Sequence, residues 1–239
     1  MCCSCSNIYP LLRYDDNPYG SADTGMSLPI YYANAFASPL LPVITMERPD
    51  QVQFFHWGLV PSWIKSESGA KNIRGKTINA RSETVFVKPT FAPSALSHRC
   101  LVLVTGFYEW HEQCGKKYPF FLKVPGVKDF ALAGIYSSWT DSATGQTEHT
   151  FSILTCAAND QVARIHNVRK RMPVILSPQG EIEWLNPRAT QKELEKLLVP
   201  WPHELDAWPV KKISNRPGVS QNVPETQLPF DYPELDTNR

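Results

Sequence analysis

Six short runs dense in β-branched, aliphatic and aromatic residues, at 52–60, 100–110, 118–124, 130–136, 150–156 and 174–176, constrain this chain most strongly. Such side chains pack well on a pleated surface and lose rotamer freedom in a helix, so each run is predicted as a strand. Helical signals are fewer and shorter. Asn159 is placed to cap a helix running through residues 160–165. Ser177-Pro178 opens another over 180–185, and Thr190 with Glu193 spells a capping box ahead of 194–198. Strands dominate and do not alternate one for one with helices, which predicts an α+β chain built on a curled mixed sheet.

With 239 residues, 42% of them hydrophobic, one sizeable core is expected rather than two. No Gly/Ser linker or repeat divides the chain, so residues 1–223 are read as one domain. Residues 224–239 are read as an extended C-terminal tail. The 24 basic residues against 23 acidic ones give a net charge of +1, so any contact with nucleic acid must come from local patches. No run resembles a signal peptide or membrane span, and a cytoplasmic protein that avoids membranes is expected. Three of the six cysteines crowd one end and three are scattered, which does not spell a disulfide framework. Cys2, Cys3 and Cys5 lack the second pair that a structural zinc site needs, so no metal and no cofactor are expected. A monomer is the default.

Cys2 is the first chemical feature. A small residue in second position permits removal of the initiator Met, which would put an α-amine and a thiol on one residue. Their ordinary pKa values, roughly 7.7–8.0 and 8.5, leave useful fractions of both nucleophiles near neutrality. An aldehyde would form an imine with the amine and then be closed by the thiol into a five-membered thiazolidine. An open iminium would instead promote β-elimination of a neighbouring phosphate. Position alone favours an ordinary residue at a frayed end.

Four further segments could serve such chemistry. In the block 77–84, Asn79 could orient an amine or carbonyl and Arg81 could clamp a phosphate; a capped loop with a surface arginine fits equally. Lys65, Lys71, Arg74, Lys76, Arg81 and Lys88 face only Glu67 and Glu83 there, a local excess that suits a phosphate backbone or simply a solvated face. Glu109, set among aromatics at the end of an apolar run, could be desolvated toward a neutral pKa and shuttle protons, or could point outward. His166 precedes a basic cluster in which Arg169 and Arg171 could hold phosphates, although a histidine at a helix end also suits the helix dipole. Trp63 and Ile64 could stack on or wedge between bases, with core packing as the alternative.

The blocks Met1-Cys2, Trp57-Gly58-Leu59-Val60-Pro61-Ser62-Trp63, Asn79-Ala80-Arg81-Ser82-Glu83-Thr84 and Gly106-Phe107-Tyr108-Glu109-Trp110 come in a characteristic order. They are followed by Ile165-His166, Arg171-Met172-Pro173-Val174-Ile175-Leu176 and Trp208-Pro209-Val210. This ordered set resembles the SRAP family, the SOS-response-associated peptidase-like proteins, across nearly the whole chain. The resemblance implies one α+β domain with a barrel-like mixed sheet flanked by short helices and a positively charged DNA groove. It implies a DNA-damage protein that crosslinks abasic sites in single-stranded DNA through Cys2, freed by autoproteolytic loss of Met1. Asn79 would orient Cys2, Glu109 and His166 would move protons, Arg81 would contact phosphate and Trp63 would border the groove. Many members carry Gly-Arg after the cysteine. Cys3 and Ser4 stand there instead, which implies compensation by another basic residue or weaker DNA binding. The segment 31–36 matches only loosely, and the loop after His166 is longer.

Two other functions fit the residues. One is a cysteine peptidase acting on other proteins, with Cys2 as nucleophile and His166 as base. The other is a non-catalytic single-strand-binding module that uses Trp63 and the basic patches.

Overall fold

In a computed structural model of the chain, which describes residues 2–8, 29–214 and 220–238, two sheets share one core. The first is a closed barrel. Strands β3 (Leu40–Thr45), β4 (Arg48–Trp57), β6 (Arg99–Val104), β9 (Phe130–Thr140) and β10 (Thr147–Ala157) pair around a ring. Every pairing is antiparallel except β10 with β4, so the barrel is mixed. The short strands β5 (Asn79–Arg81), β11 (Arg171–Pro173) and β12 (Ile175–Leu176) extend it, β5 running parallel to β10. The second sheet has the order β13-β8-β7-β1-β2. Its strands are β1 (Ser4–Asn7), β2 (Ile30–Asn34), β7 (Gly106–Gln113), β8 (Lys116–Lys123) and β13 (Asp206–Pro209).

The expected α+β class and barrel-like sheet are thus what the chain adopts, although β1, β2, β3 and β13 lie outside the six expected runs, Val174 separates β11 from β12, and one further run divides. The run 100–110, predicted as one strand, is two. At Thr105 the chain leaves the barrel as β6 and enters the second sheet as β7. Thr105 donates its backbone N–H to the Ser6 carbonyl (2.8 Å) and its hydroxyl lies 2.9 Å from that of Ser6. Gly106 follows because a Cβ there would sit 2.2 Å from the Phe121 ring. This switch is what carries Glu109 out of the barrel and beside β1.

Helices are short, as expected: α1 (Glu67–Arg74), α2 (Ala92–Ser97), α3 (Asp160–Ile165), α4 (Pro178–Leu185) and α5 (Gln191–Leu197). The side chains of Asn159, Ser177 and Thr190 accept the N-terminal amides of α3, α4 and α5, and both halves of the Thr190–Glu193 capping box form. The helices α1 and α2 lie outside the helical signals read from the sequence. Ser66 caps α1 at Gly69 N, and Lys71 pairs with Glu67 one turn away (3.3 Å).

Residues 224–238, expected to extend away, instead fold back as two 3-10 turns. Val210 bridges Pro229, and the Tyr232 hydroxyl donates to the Val210 carbonyl while its ring packs edge-on against Tyr118. Just before them, the Asn222 side chain accepts the amides of Tyr31 and Tyr32 at 2.6 and 3.3 Å. The end of the chain therefore pins β2, and β2 in turn holds β1, the strand next to Cys2.

Candidate active site

Cys2 and Cys3 lead into β1. That strand lies antiparallel to β7 with Cys5 opposite Phe107 and Ser6 opposite Gly106, and the same register continued two residues brings Cys3 level with Glu109. Cys2 is fully buried, and its Sγ contacts the Ser4 carbonyl oxygen at 3.8 Å. Burial, reinforced by the nearby Glu109 charge, pushes its thiol well above the ordinary range, so the thiol holds its proton.

Asn79 meets Cys2 from the barrel side. Pairing of β5 with β10 turns Asn79 inward, and its Nδ2 donates to the Cys2 carbonyl oxygen across 2.7 Å. Its Oδ1 is buried with no hydrogen-bond partner. Arg81, at the end of the same strand, is exposed.

Glu109 comes from β7 and is 1% exposed. Burial raises its carboxyl to about 8, so at neutral pH it is protonated. Its Oε2 lies 3.2 Å from His166 Nδ1, and its Oε1 is buried without a partner. His166 ends α3, and the loop that follows closes where Lys170, in the left-handed region, donates its N–H to the His166 carbonyl. Burial lowers His166 to about 4, leaving it neutral. The Arg171 carbonyl oxygen sits 2.8 Å from Nδ1. A carbonyl can only accept, so the imidazole proton is on Nδ1 and Glu109 Oε2 faces it as a second acceptor. The carboxyl proton then belongs on Oε1, the oxygen with no partner.

Glu109 and His166, with Cys3, border a cavity of about 470 Å³. Its buried and half-buried lining is Cys3, Ile78, Glu109, Trp110, Glu112 and His166; Phe36, Lys117, Val168 and Arg169 line it from exposed positions. A proton donor, a neutral imidazole and two cations against the single carboxylate of Glu112 at one cavity suit carbonyl addition to an anionic substrate. Among the described residues no three His, Cys, Asp or Glu side chains gather as a metal-binding group, and all six cysteines are free thiols.

The other candidates divide. Arg169 lines the cavity, whereas Lys76, Arg81 and Trp63 do not, although all three are exposed, Trp63 by 55%. Ile64 turns inward beside Ala70 and Trp139, and its carbonyl accepts the Trp139 indole N–H at 2.8 Å. Arg171 spends its guanidinium on both carboxylate oxygens of Glu83 and on the Thr155 carbonyl. It braces the loop of His166 against the barrel. Sequence reasoning passed over Phe36 and Lys117, because an aromatic or a lysine in a strand-rich chain carries no mark of which cavity it will border.

Residues 19–217 match the profile of a family described as SOS response associated peptidase (SRAP). The chain is 36% identical over 197 residues to the abasic site processing protein YoqW of Bacillus subtilis, covering 81% of this chain and 84% of that one. It is 33% identical over 196 residues to the abasic site processing protein HMCES of Gallus gallus, covering 73% of this chain and 56% of that longer one. Among solved structures, a protein from Bacteroides thetaiotaomicron superposes with a TM-score of 0.78 at 38% identity, over 84% of this chain and 85% of that one. A Bordetella bronchiseptica protein, 22% identical with a TM-score of 0.74 over 88% of this chain and all of its own, shares the fold.

Proposed function

The chain belongs to the SOS response associated peptidase family, and from that premise we propose that it processes abasic sites in single-stranded DNA by capturing the sugar aldehyde on Cys2. The observation that carries the reading is the convergence of Asn79 on the Cys2 carbonyl and of the Glu109–His166 pair on the adjoining cavity. The names of the relatives, abasic site processing proteins, support the substrate class.

The reaction needs a free α-amine, so the Met1–Cys2 bond is first hydrolysed, in keeping with the peptidase of the family description. Water adds to the Met1 carbonyl and the Cys2 nitrogen leaves with a proton. The amine then adds to C1′ of the ring-opened sugar, and loss of one water gives the imine. Glu109, protonated at neutral pH, supplies the proton on which that water departs. The Cys2 sulfur adds to the imine carbon, its proton passes to the nitrogen, and the thiazolidine closes. Closure removes the iminium that would otherwise expel the 3′ phosphate, so the strand is protected. Arg169 and Lys117 supply positive charge for the flanking phosphates.

The buried, protonated thiol favours this order of events over a cysteine peptidase acting on other proteins, in which a lowered thiol pKa would be expected. Protein freed of Met1, incubated with single-stranded DNA carrying one abasic site, should give a slow-migrating band on a denaturing gel. Absence of that band would overturn the reading. Cys2→Ala keeps an amine but cannot close the ring, and should crosslink weakly while cleaving the strand.

A further inference from the structure

Phe36 is 68% exposed, yet it lines the same cavity as Glu109 and His166. Leaving a phenyl ring in water forgoes roughly 1.5–3 kcal/mol of burial, which a ligand packed on it would recover. The backbone beneath it is fixed at every point. Asn34 caps the 3-10 turn Ala35–Ala37 by accepting the Phe36 amide at 3.0 Å. Ser38 closes the turn in the left-handed region (φ 49°), with its N–H on the Ala35 carbonyl and its hydroxyl on the Trp57 carbonyl at 2.9 Å. Ala35 donates its own N–H to the Cys3 carbonyl at 2.9 Å, so the ring is tied within a few bonds to the residue after Cys2.

We propose that Phe36 is a base-stacking residue, which packs its ring on the nucleobase beside the abasic nucleotide and so seats the base-less sugar in the cavity. The inference rests on the proposed reaction at Cys2 and names how its substrate is held. Nucleic acid is favoured over an apolar protein partner by the exposed cations at the same place. Arg169 and Lys117 line the cavity with Phe36 and outnumber its one ionised carboxylate, Glu112, and the ring also borders Gly75, the residue before Lys76. An aromatic face flanked by cations fits a base and its phosphates. An abasic site lacks one base in its stack, and a ring projecting at the cavity can take that place.

The test uses single-stranded DNA with 2-aminopurine, whose fluorescence is quenched by stacking, on the 5′ or the 3′ side of the abasic site. With a tetrahydrofuran analogue of the abasic sugar, which has no aldehyde and so isolates binding from capture, quenching is expected on one side only and is lost in Phe36→Ala. In protein with Cys2 intact, Phe36→Ala should raise the DNA concentration for half-maximal crosslinking about tenfold or more while leaving the rate at saturation within twofold. Phe36→Trp should restore it, and Phe36→Leu only in part. Unchanged half-saturation in Phe36→Ala, or equal rescue by Leu and Trp, would overturn the proposal while crosslinking itself persists. Failure of the parent protein to crosslink at all, with quenching still dependent on Phe36, would instead overturn the reaction at Cys2.

Discussion

Glu109 Oε2 and His166 Nδ1 lie 3.2 Å apart, and burial holds both groups neutral, the carboxyl raised to about 8 and the imidazole lowered to about 4. In a charged pair at this distance the carboxylate would have no proton to give. The neutral pair leaves a protonated carboxyl beside Cys2 throughout the physiological range.

This pair fixes how stability varies with pH. Folded protein keeps the Glu109 proton up to about pH 8, whereas an unfolded glutamate has released it by about 4.3. The folded state therefore binds more protons in that window, and stability falls as pH rises. His166 acts oppositely between about 4 and 6.5, where the unfolded chain holds the extra proton. The two offset each other at lower pH, and the Glu109 effect is alone from about pH 6.5 to 8. Urea denaturation should show a loss of about 1–2 kcal/mol across that interval, absent in Glu109→Gln. Stability rising over the same interval would contradict the neutral assignment.

The same proton governs the rate. Crosslinking should fall above about pH 8 as Glu109 ionises, and Glu109→Gln should be slower by about a hundredfold or more with little change in DNA affinity. Single-turnover crosslinking against pH, with binding measured separately, checks both. A Gln variant of normal rate would remove Glu109 from the reaction.

Asn79 should act on the position of Cys2. Asn79→Ala deletes the 2.7 Å bond to the Cys2 carbonyl and leaves that buried oxygen unpaired, at a cost of about 1–3 kcal/mol in stability. Asn79→Asp keeps the size but turns an acceptor toward an acceptor, and should be slower still in crosslinking. An Asp variant as fast as the parent would contradict the positioning role.

Arg169 and Arg171 should separate although they stand two residues apart. Arg171→Met breaks the contacts to Glu83 and Thr155, and should lower stability and the crosslinking rate while leaving the salt dependence of DNA binding unchanged. Arg169→Ala should leave stability alone, weaken binding and reduce the salt slope by about one. The reverse pattern in a salt titration would contradict this division of labour.

What could be read from the sequence follows from which signals are local. The caps of α3 and α4 and the capping box of α5 lie within four residues and were legible, as was the β character of the barrel. The break inside 100–110 was not, because only the Phe121 ring, brought over by β8, explains why Gly106 must lack a side chain. The folded-back end was equally hidden, since Asn222 finds its partners 191 and 190 residues away at Tyr31 and Tyr32. At the site, Cys2, Asn79, Glu109 and His166 each stood out as residue types suited to carbonyl chemistry. Their meeting depends on the register of β1 on β7 and the end of α3, both long-range. The basic residues misled most. Sequence cannot distinguish Arg171, spent on Glu83, from Arg169, which lines the cavity.

The central claim is that Cys2 carries the DNA. It is tested most directly by crosslinking protein that lacks Met1 to abasic single-stranded DNA, digesting the adduct with nuclease and protease, and weighing the peptide that begins at Cys2. The expected peptide is heavier by the residual sugar phosphate less one water, its mass unchanged by borohydride because no imine remains. An adduct on a lysine, or one at Cys2 that borohydride reduces, would contradict it.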